Sequence, residues 1–233
     1  MGYTHYWYRK ERLNKKTYAK AVKDIQAVVA NAGIPLASWD GTGKPEISED
    51  KISFNGVEHC GHPKENLGIA WPSERAGGVA GNLDAPVPAG EIKSWGDGIG
   101  SALSVISSAS GVGTVIYANG KPLEVIGADG GIGQLIDTRK CGGDCSHESF
   151  TVEPYKKQAE WNKDEKLVFS SCKTAFKPYD LIVIASLIIL KHHFGDEIIV
   201  SSNGTNDQWF DGKLLCYQTL GYGLQFKLDE DEE

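Results

Sequence analysis

Ten consecutive residues, Leu181-Ile182-Val183-Ile184-Ala185-Ser186-Leu187-Ile188-Ile189-Leu190, carry no charge, and Pro178 stands just before them. Proline fits the first turn of a helix because the N–H it lacks has no helical partner there. The pattern predicts a helix over about 179–194, closed by Gly195. Its body is apolar all round, so the rest of the chain must cover it on most sides. The run is far shorter than the ~20 residues that span a bilayer, which predicts a buried helix and no membrane partner.

The remaining elements follow from period. Residues 3–9 alternate, with Tyr3, His5 and Trp7 to one side and Thr4, Tyr6 and Tyr8 to the other, as in a strand. Tyr18, Ala21, Val22, Ile25, Val28 and Val29 recur at helical spacing, predicting a helix over 15–32 with Asn14 as N-cap and Gly33 just past its end. Short alternating strands are expected at 51–55, ending at Asn55-Gly56, at 148–153 and at 197–201. A last helix over 206–220 uses Trp209, Phe210, Leu214 and Tyr217 and ends at Gly221, and Leu224 to Phe226 reads as an edge strand.

Residues 57–146 differ in composition and hold more than half of the 28 glycines. Within them, 114–117 and 123–126 flank Asn119-Gly120, a hairpin signature, while 101–110 fits either a short helix or a loop. With that stretch set aside, the order matches a split βαβ pattern plus one helix. The expected fold is α+β and ferredoxin-like, one antiparallel sheet with both long helices on a single face and a Gly-rich β/loop insertion between strands two and three. Residues 1–56 and 147–228 form the core, 57–146 the insertion, and 229–233 an acidic tail. An insertion at a hairpin tip costs little, because loop-closure entropy grows only logarithmically with length.

A formal charge of -7 excludes a bulk basic surface for nucleic acid. A local basic pocket remains open, since Lys173 and Lys177 cluster with Lys156, Lys157 and Lys163. The first residues lack the basic start and apolar run of a signal peptide. Five cysteines, an odd number, then favour reduced thiols and a cytoplasmic setting.

Two constellations carry chemistry. Cys172-Lys173-Thr174 and Lys177-Pro178-Tyr179-Asp180 lead into the buried helix, whose N-terminus presents unpaired N–H groups. With Tyr3, His5 and Trp7 of strand one, these residues make a candidate ligand site: Lys173, Lys177 and the helix end for an anion, Tyr3, His5, Trp7, Thr174, Tyr179 and Asp180 for stacking and hydrogen bonds. The structural alternative has Asp180 capping the helix, Cys172 buried and the aromatics filling core. The second constellation is Cys60, Cys141, Cys145 and His147 at the two ends of the insertion. Three thiols and an imidazole suit a structural zinc, although the spacing is not a double CxxC knuckle and loop thiols are the simpler reading. Residues 107–114 are glycine-rich but lack the ending of a P-loop, and no GxSxG or HExxH motif occurs. His192-His193 suits the C-terminal end of the helix dipole.

The opening Gly2-Tyr3-Thr4-His5-Tyr6-Trp7 and the segment Cys172 to Asp180 resemble a family of uncharacterised bacterial and bacteriophage proteins. The likeness extends over the first ~55 and last ~90 residues, by the segmentation that periodicity gives. It implies a phage or prophage origin, a host-cell cytoplasmic location and an insertion at 57–146, and it carries no activity with it. Three functional expectations stand beside one another. The first is an accessory, counter-defence type of protein binding a small anionic, nucleotide-like ligand or a host protein. The second is an enzyme using His5, Lys173 and Asp180, and the third a virion or assembly protein.

Overall fold

The computed structural model describes residues 2–32, 34–60, 68–69, 92–94, 103–107, 114–118, 121–126, 139–140, 143–158, 167–206 and 208–229. The chain is an α+β protein. Its elements are β1 (Thr4–Arg9), α1 (Lys15–Ala32), β2 (Glu46–Ile47), β3 (Ile52–Phe54), β4 (Gly68–Ile69), β5 (Ile92–Ser94), β6 (Leu103–Ser107), β7 (Thr114–Ala118), β8 (Lys121–Ile126) and β9 (Arg139–Lys140). There follow β10 (Phe150–Val152), β11 (Val168–Lys173), α2 (Asp180–Phe194), β12 (Ile198–Ser202) and α3 (Phe210–Leu220).

The helix boundaries follow local chemistry. Asn14 Oδ1 accepts the backbone N–H groups of Lys16 and Thr17 at 3.0 and 3.1 Å, so it caps α1 as its residue type predicts. Gly221 ends α3 with φ 81, a left-handed conformation that glycine takes without a Cβ penalty. Every residue of α2 from Asp180 to Leu190 is buried. The cover comes from α1 and α3, which pack on α2 and on each other, and from β12. Gly212 is needed at the α2–α3 contact, because a Cβ there would overlap Ile184. Among the described residues no helix is long and apolar enough to cross a membrane.

The sheet departs from the expected pattern. One antiparallel sheet over 3–9, 51–55, 148–153 and 197–201 is replaced by two three-stranded sheets, ordered β11-β1-β12 and β10-β3-β2. The neighbour of β1 is β11, a strand absent from the sequence reading, paired from Thr4↔Lys173 to Arg9↔Val168. β12 flanks the other side of β1, so β11, α2 and β12 form a βαβ unit with β1 between its strands. Strand β10 pairs with β3 instead, from Phe150↔Phe54 to Val152↔Ile52. The two sheets meet at a seam where Glu148 N donates to Lys173 O at 3.2 Å and Lys173 N donates to Glu148 Oε2 at 2.7 Å.

Alternation decides which β1 side chains enter the core. His5, Trp7 and Arg9 are buried, and Thr4, Tyr6 and Tyr8 are half-buried on the other face. Trp7 shares one hydrophobic core with α1, β3, β10, α2, β12 and α3. Among the described residues, strands β4 to β9 pair with one another: β4 with β9, and β5 to β8 in one four-stranded antiparallel meander. The hairpin around 119–120 is β7–β8, and the ambiguous 101–110 contains strand β6. Residues 224–226 form no strand; Phe226 stacks on Trp209, and Asp229 covers the edge of β12 through its N–H to Val200 O at 2.9 Å and Val200 N to its Oδ2 at 2.7 Å.

Candidate functional site

The residues expected to form a pocket around strand one and the start of α2 fall into two groups. His5 and Asp180 meet: Nε2 lies 2.7 Å from Asp180 Oδ1, and both side chains have no exposed surface. Thr174 Oγ1 donates to the same carboxylate oxygen. On the other ring edge, His5 Nδ1 lies 2.9 Å from Ser202 Oγ. Tyr3 and Trp209 stand edge-on to the imidazole, with centroids at 4.9 and 5.0 Å. With Nε2–H given to the carboxylate, a neutral imidazole accepts the Ser202 hydroxyl proton at Nδ1. That is the polarity of a nucleophile–base–orienter chain. Ser202 Oγ, however, also takes the Gly204 N–H at 2.9 Å and lies 3.3 Å from Thr4 O, so the backbone already holds this hydroxyl.

The second group is turned to scaffold bonds. Lys177 Nζ donates to Asp144 O at 2.5 Å, and Tyr179 Oη donates to Glu148 O at 2.5 Å. Lys173 packs its stem over Gly2, and Cys172 Sγ bonds Glu148 O at 3.3 Å, its thiol pushed up by burial. Burial also pushes the Tyr179 hydroxyl up. Asp180 directs its carboxylate to His5 and Thr174, and the N-cap position of the helix is taken by Tyr179. Ala175 and Phe176, in the turn before α2, hold φ of 50 and 59, a left-handed conformation that costs a residue with a side chain of order 1–3 kcal/mol. The Tyr3 carbonyl holds this turn by accepting the N–H groups of Thr174 and Ala175 at 2.9 and 3.1 Å.

Among the residues expected to bind zinc, Cys60 packs against Cys145 and His147 is exposed. Cys141 lies outside the described residues, and among the described ones no group of three or more His, Cys, Asp or Glu converges to hold a metal.

A different site lies in the seam between the sheets. At one end β10 and β11 are tied through Glu148 and Lys173, as above. At the other, Lys156 Nζ reaches across to Phe169 O at 3.1 Å and Ser170 Oγ at 2.7 Å. Between these ties is a cavity of about 190 Å³. Its lining is Trp7 of β1, Ser149, Thr151 and Glu153 along β10, Ser170 and Ser171 of β11, and Lys156.

Two buried groups of β1, Trp7 at the cavity and Arg9 whose charge acts on Lys156, hold polar atoms without partners among the described residues. Trp7 Nε1 is buried without a hydrogen bond among the described residues. Arg9, two residues along the same buried face of β1, is 1% exposed. Its Nη1 donates to the carbonyls of Lys10 and Glu11 at 2.9 and 3.3 Å, while Nε and Nη2 are buried and unpaired. Burial lowers the Arg9 guanidinium's pKa from its ordinary value against the raising influence of Tyr18 and Glu153. Lys156 is lowered too, first by burial and then by the Arg9 charge. Glu153, the one carboxylate felt by both cations, is turned toward Lys51 at 3.8 Å.

Sequence reasoning counted Lys156 in its basic cluster and Trp7 in its site but gave Arg9, at the end of the alternating stretch 3–9, no role. The signal was available: Arg9 follows His5 and Trp7 at strand period, on the face that must be buried. Comparisons with protein-family models, curated proteins and solved structures give no match.

Proposed function

We propose that this protein binds a small oxyanion, a phosphate or carboxylate group, in the seam between its two sheets. The observation that carries the reading is the buried, unpartnered Nε–Nη2 side of the Arg9 guanidinium, whose charge acts on the cavity-lining Lys156. Those two donors form the fork that grips carboxylates and phosphates in bidentate fashion. A buried cation left without a partner costs several kcal/mol, and a buried unsatisfied polar group in a native fold calls for an ion, a water or a function. Trp7 Nε1, Lys156 Nζ and the hydroxyls of Thr151, Ser170 and Ser171 supply further donors around the cavity.

Size narrows the ligand. Sites for drug-sized molecules run to roughly 300–1,000 Å³, and this cavity is smaller at about 190 Å³. The fit is to an anion alone or to the anionic head of a larger molecule such as a nucleotide, whose remainder stays outside. We read the chain as an accessory protein of the phage type, on its likeness to that family at residues 2–7 and 172–180. The β11-α2-β12 unit around β1 corresponds to half of a ferredoxin-like pattern, and the mutual pairing of β4 to β9 supports their reading as an insertion.

The test is thermal unfolding and calorimetry with inorganic phosphate, sulfate and citrate, against chloride at matched ionic strength. A bound anion at 100 times its Kd raises stability by about 2.7 kcal/mol. Arg9→Met keeps the apolar stem and should abolish the response, and Lys156→Met should weaken it. Affinity should fall as pH rises through the depressed pKa of Lys156, since only its protonated form attracts the anion. That loss should begin below the ordinary lysine value of about 10.4. No response to any of the three anions, or an Arg9→Met protein that responds like the parent, overturns the reading.

A further inference from the structure

The base of the Gly-rich segment is held as two adjoining stretches of chain, 55–60 and 143–148. Asn55, 3% exposed, donates through Nδ2 to His147 O at 2.9 Å and accepts the His147 N–H on Oδ1 at 3.0 Å. Cys145 N donates to Val57 O at 3.2 Å, and Glu58 N donates to Gly41 O at 2.8 Å. Gly56 lies so close to the Cys145 carbonyl that a Cβ would overlap it. The far side is tied to the core by Lys177 on Asp144 O. Within this fixed frame Cys145, 3% exposed, has the half-buried Cys60 packed against it. The residue before Cys60, His59, is held at φ 53.

Cys172 and Cys216 are placed differently. Each is fully buried in the main core with its Sγ on a carbonyl, Glu148 O at 3.3 Å and Ala185 O at 3.6 Å. Neither meets the access that thiol chemistry needs. Cys60 and Cys145 combine contact, a fixed frame and one half-buried member that solvent reaches, and a disulfide between them would join the two stretches covalently.

We propose that Cys60 and Cys145 are a reversible dithiol–disulfide site that clasps the base of the segment between them. The oxidant is a small disulfide of the glutathione class. The Cys60 thiolate, the more exposed, attacks one sulfur of oxidised glutathione and displaces a glutathione thiolate, which takes up a proton. The Cys145 thiolate then attacks the Cys60 sulfur of the mixed disulfide and displaces the second glutathione. Two protein thiols lose their protons, two electrons pass to the glutathione disulfide, and two glutathione thiols leave. This inference is independent of the seam site, which contains no cysteine.

The full chain is equilibrated in glutathione buffers from fully reducing to fully oxidising, its remaining thiols are alkylated, and digested peptides are weighed. A Cys60–Cys145 linked peptide should appear cooperatively, vanish with dithiothreitol, and be absent from Cys60→Ser, while Cys216→Ser leaves it unchanged. Circular dichroism on Cys60→Ser confirms that its loss is not unfolding. Three results overturn the proposal: no intramolecular disulfide across the range, a dominant link through Cys141, or about one tightly held zinc per chain shielding these thiols.

Discussion

Helix α2 has a histidine–aspartate pair at each end, with the same 2.7 Å Nε2–Oδ separation. At its start, Asp180 meets His5 with both side chains fully buried. At its end, His193 meets Asp24 with 15% and 27% of the side chains exposed. The buried pair is enclosed by hydrogen bonds: Thr174 serves the carboxylate and Ser202 the far ring nitrogen. The open pair leans on the C-terminal tail, since Tyr222 Oη donates to the same Asp24 oxygen at 2.6 Å and its ring stacks on His192 at 3.6 Å. Burial lowers the pKa of His192, and the neighbouring His193 adds to that shift. Equal geometry therefore stands for unequal energy. In a low dielectric a lost partner leaves a group that water cannot rescue, whereas at the surface water replaces it.

The largest effect should come from Asp180→Ala. Removing one member of a buried pair costs roughly 3–5 kcal/mol, read as a lower urea midpoint with unchanged slope. If Asp24→Ala costs as much, the contrast between the two ends fails. Thr174→Val, close in shape, should cost about 1–3 kcal/mol, because it leaves a buried carboxylate one donor short. A loss near zero would mean that the Asp180 carboxylate is satisfied without Thr174. The smallest effect belongs to His193→Ala, about 0.2–1 kcal/mol and shrinking further in 1 M salt, where screening acts over about 3 Å. The Asp180→Ala loss should persist in that salt, and a loss that salt erases would place the buried pair in contact with solvent.

The seam extends the lesson to a group without a partner. Arg9 has as little exposure as His5, yet its fork is open among the described residues. From sequence, Arg9 drew no expectation of burial, because charge is usually a surface signal. The alternation of β1 overrode that signal. The site expected at the start of α2 was legible in part: His5, Thr174 and Asp180 do come together, but as a closed network, with Lys177 drawn away to Asp144. Residue types indicated affinity for one another and carried no information on whether space would remain between them.

What sequence alone determined are the elements whose signal lies within a few neighbouring residues. The Asn14 cap, the period of α1, the all-round apolar body of α2 and the Gly221 terminus each depend on i to i+4 relations, which one stretch of chain contains in full. Tertiary structure alone decided the strand partners. Val168, Ser170 and Cys172 alternate with Phe169, Ser171 and Lys173, but two serines blur the pattern, and pairing with β1 joins residues more than 150 apart. That choice took β1 from β10, divided one sheet into two and opened the seam that Trp7 lines. Strand pairing is a competition among distant edges, settled by the packing of the whole core, and no local period records its outcome.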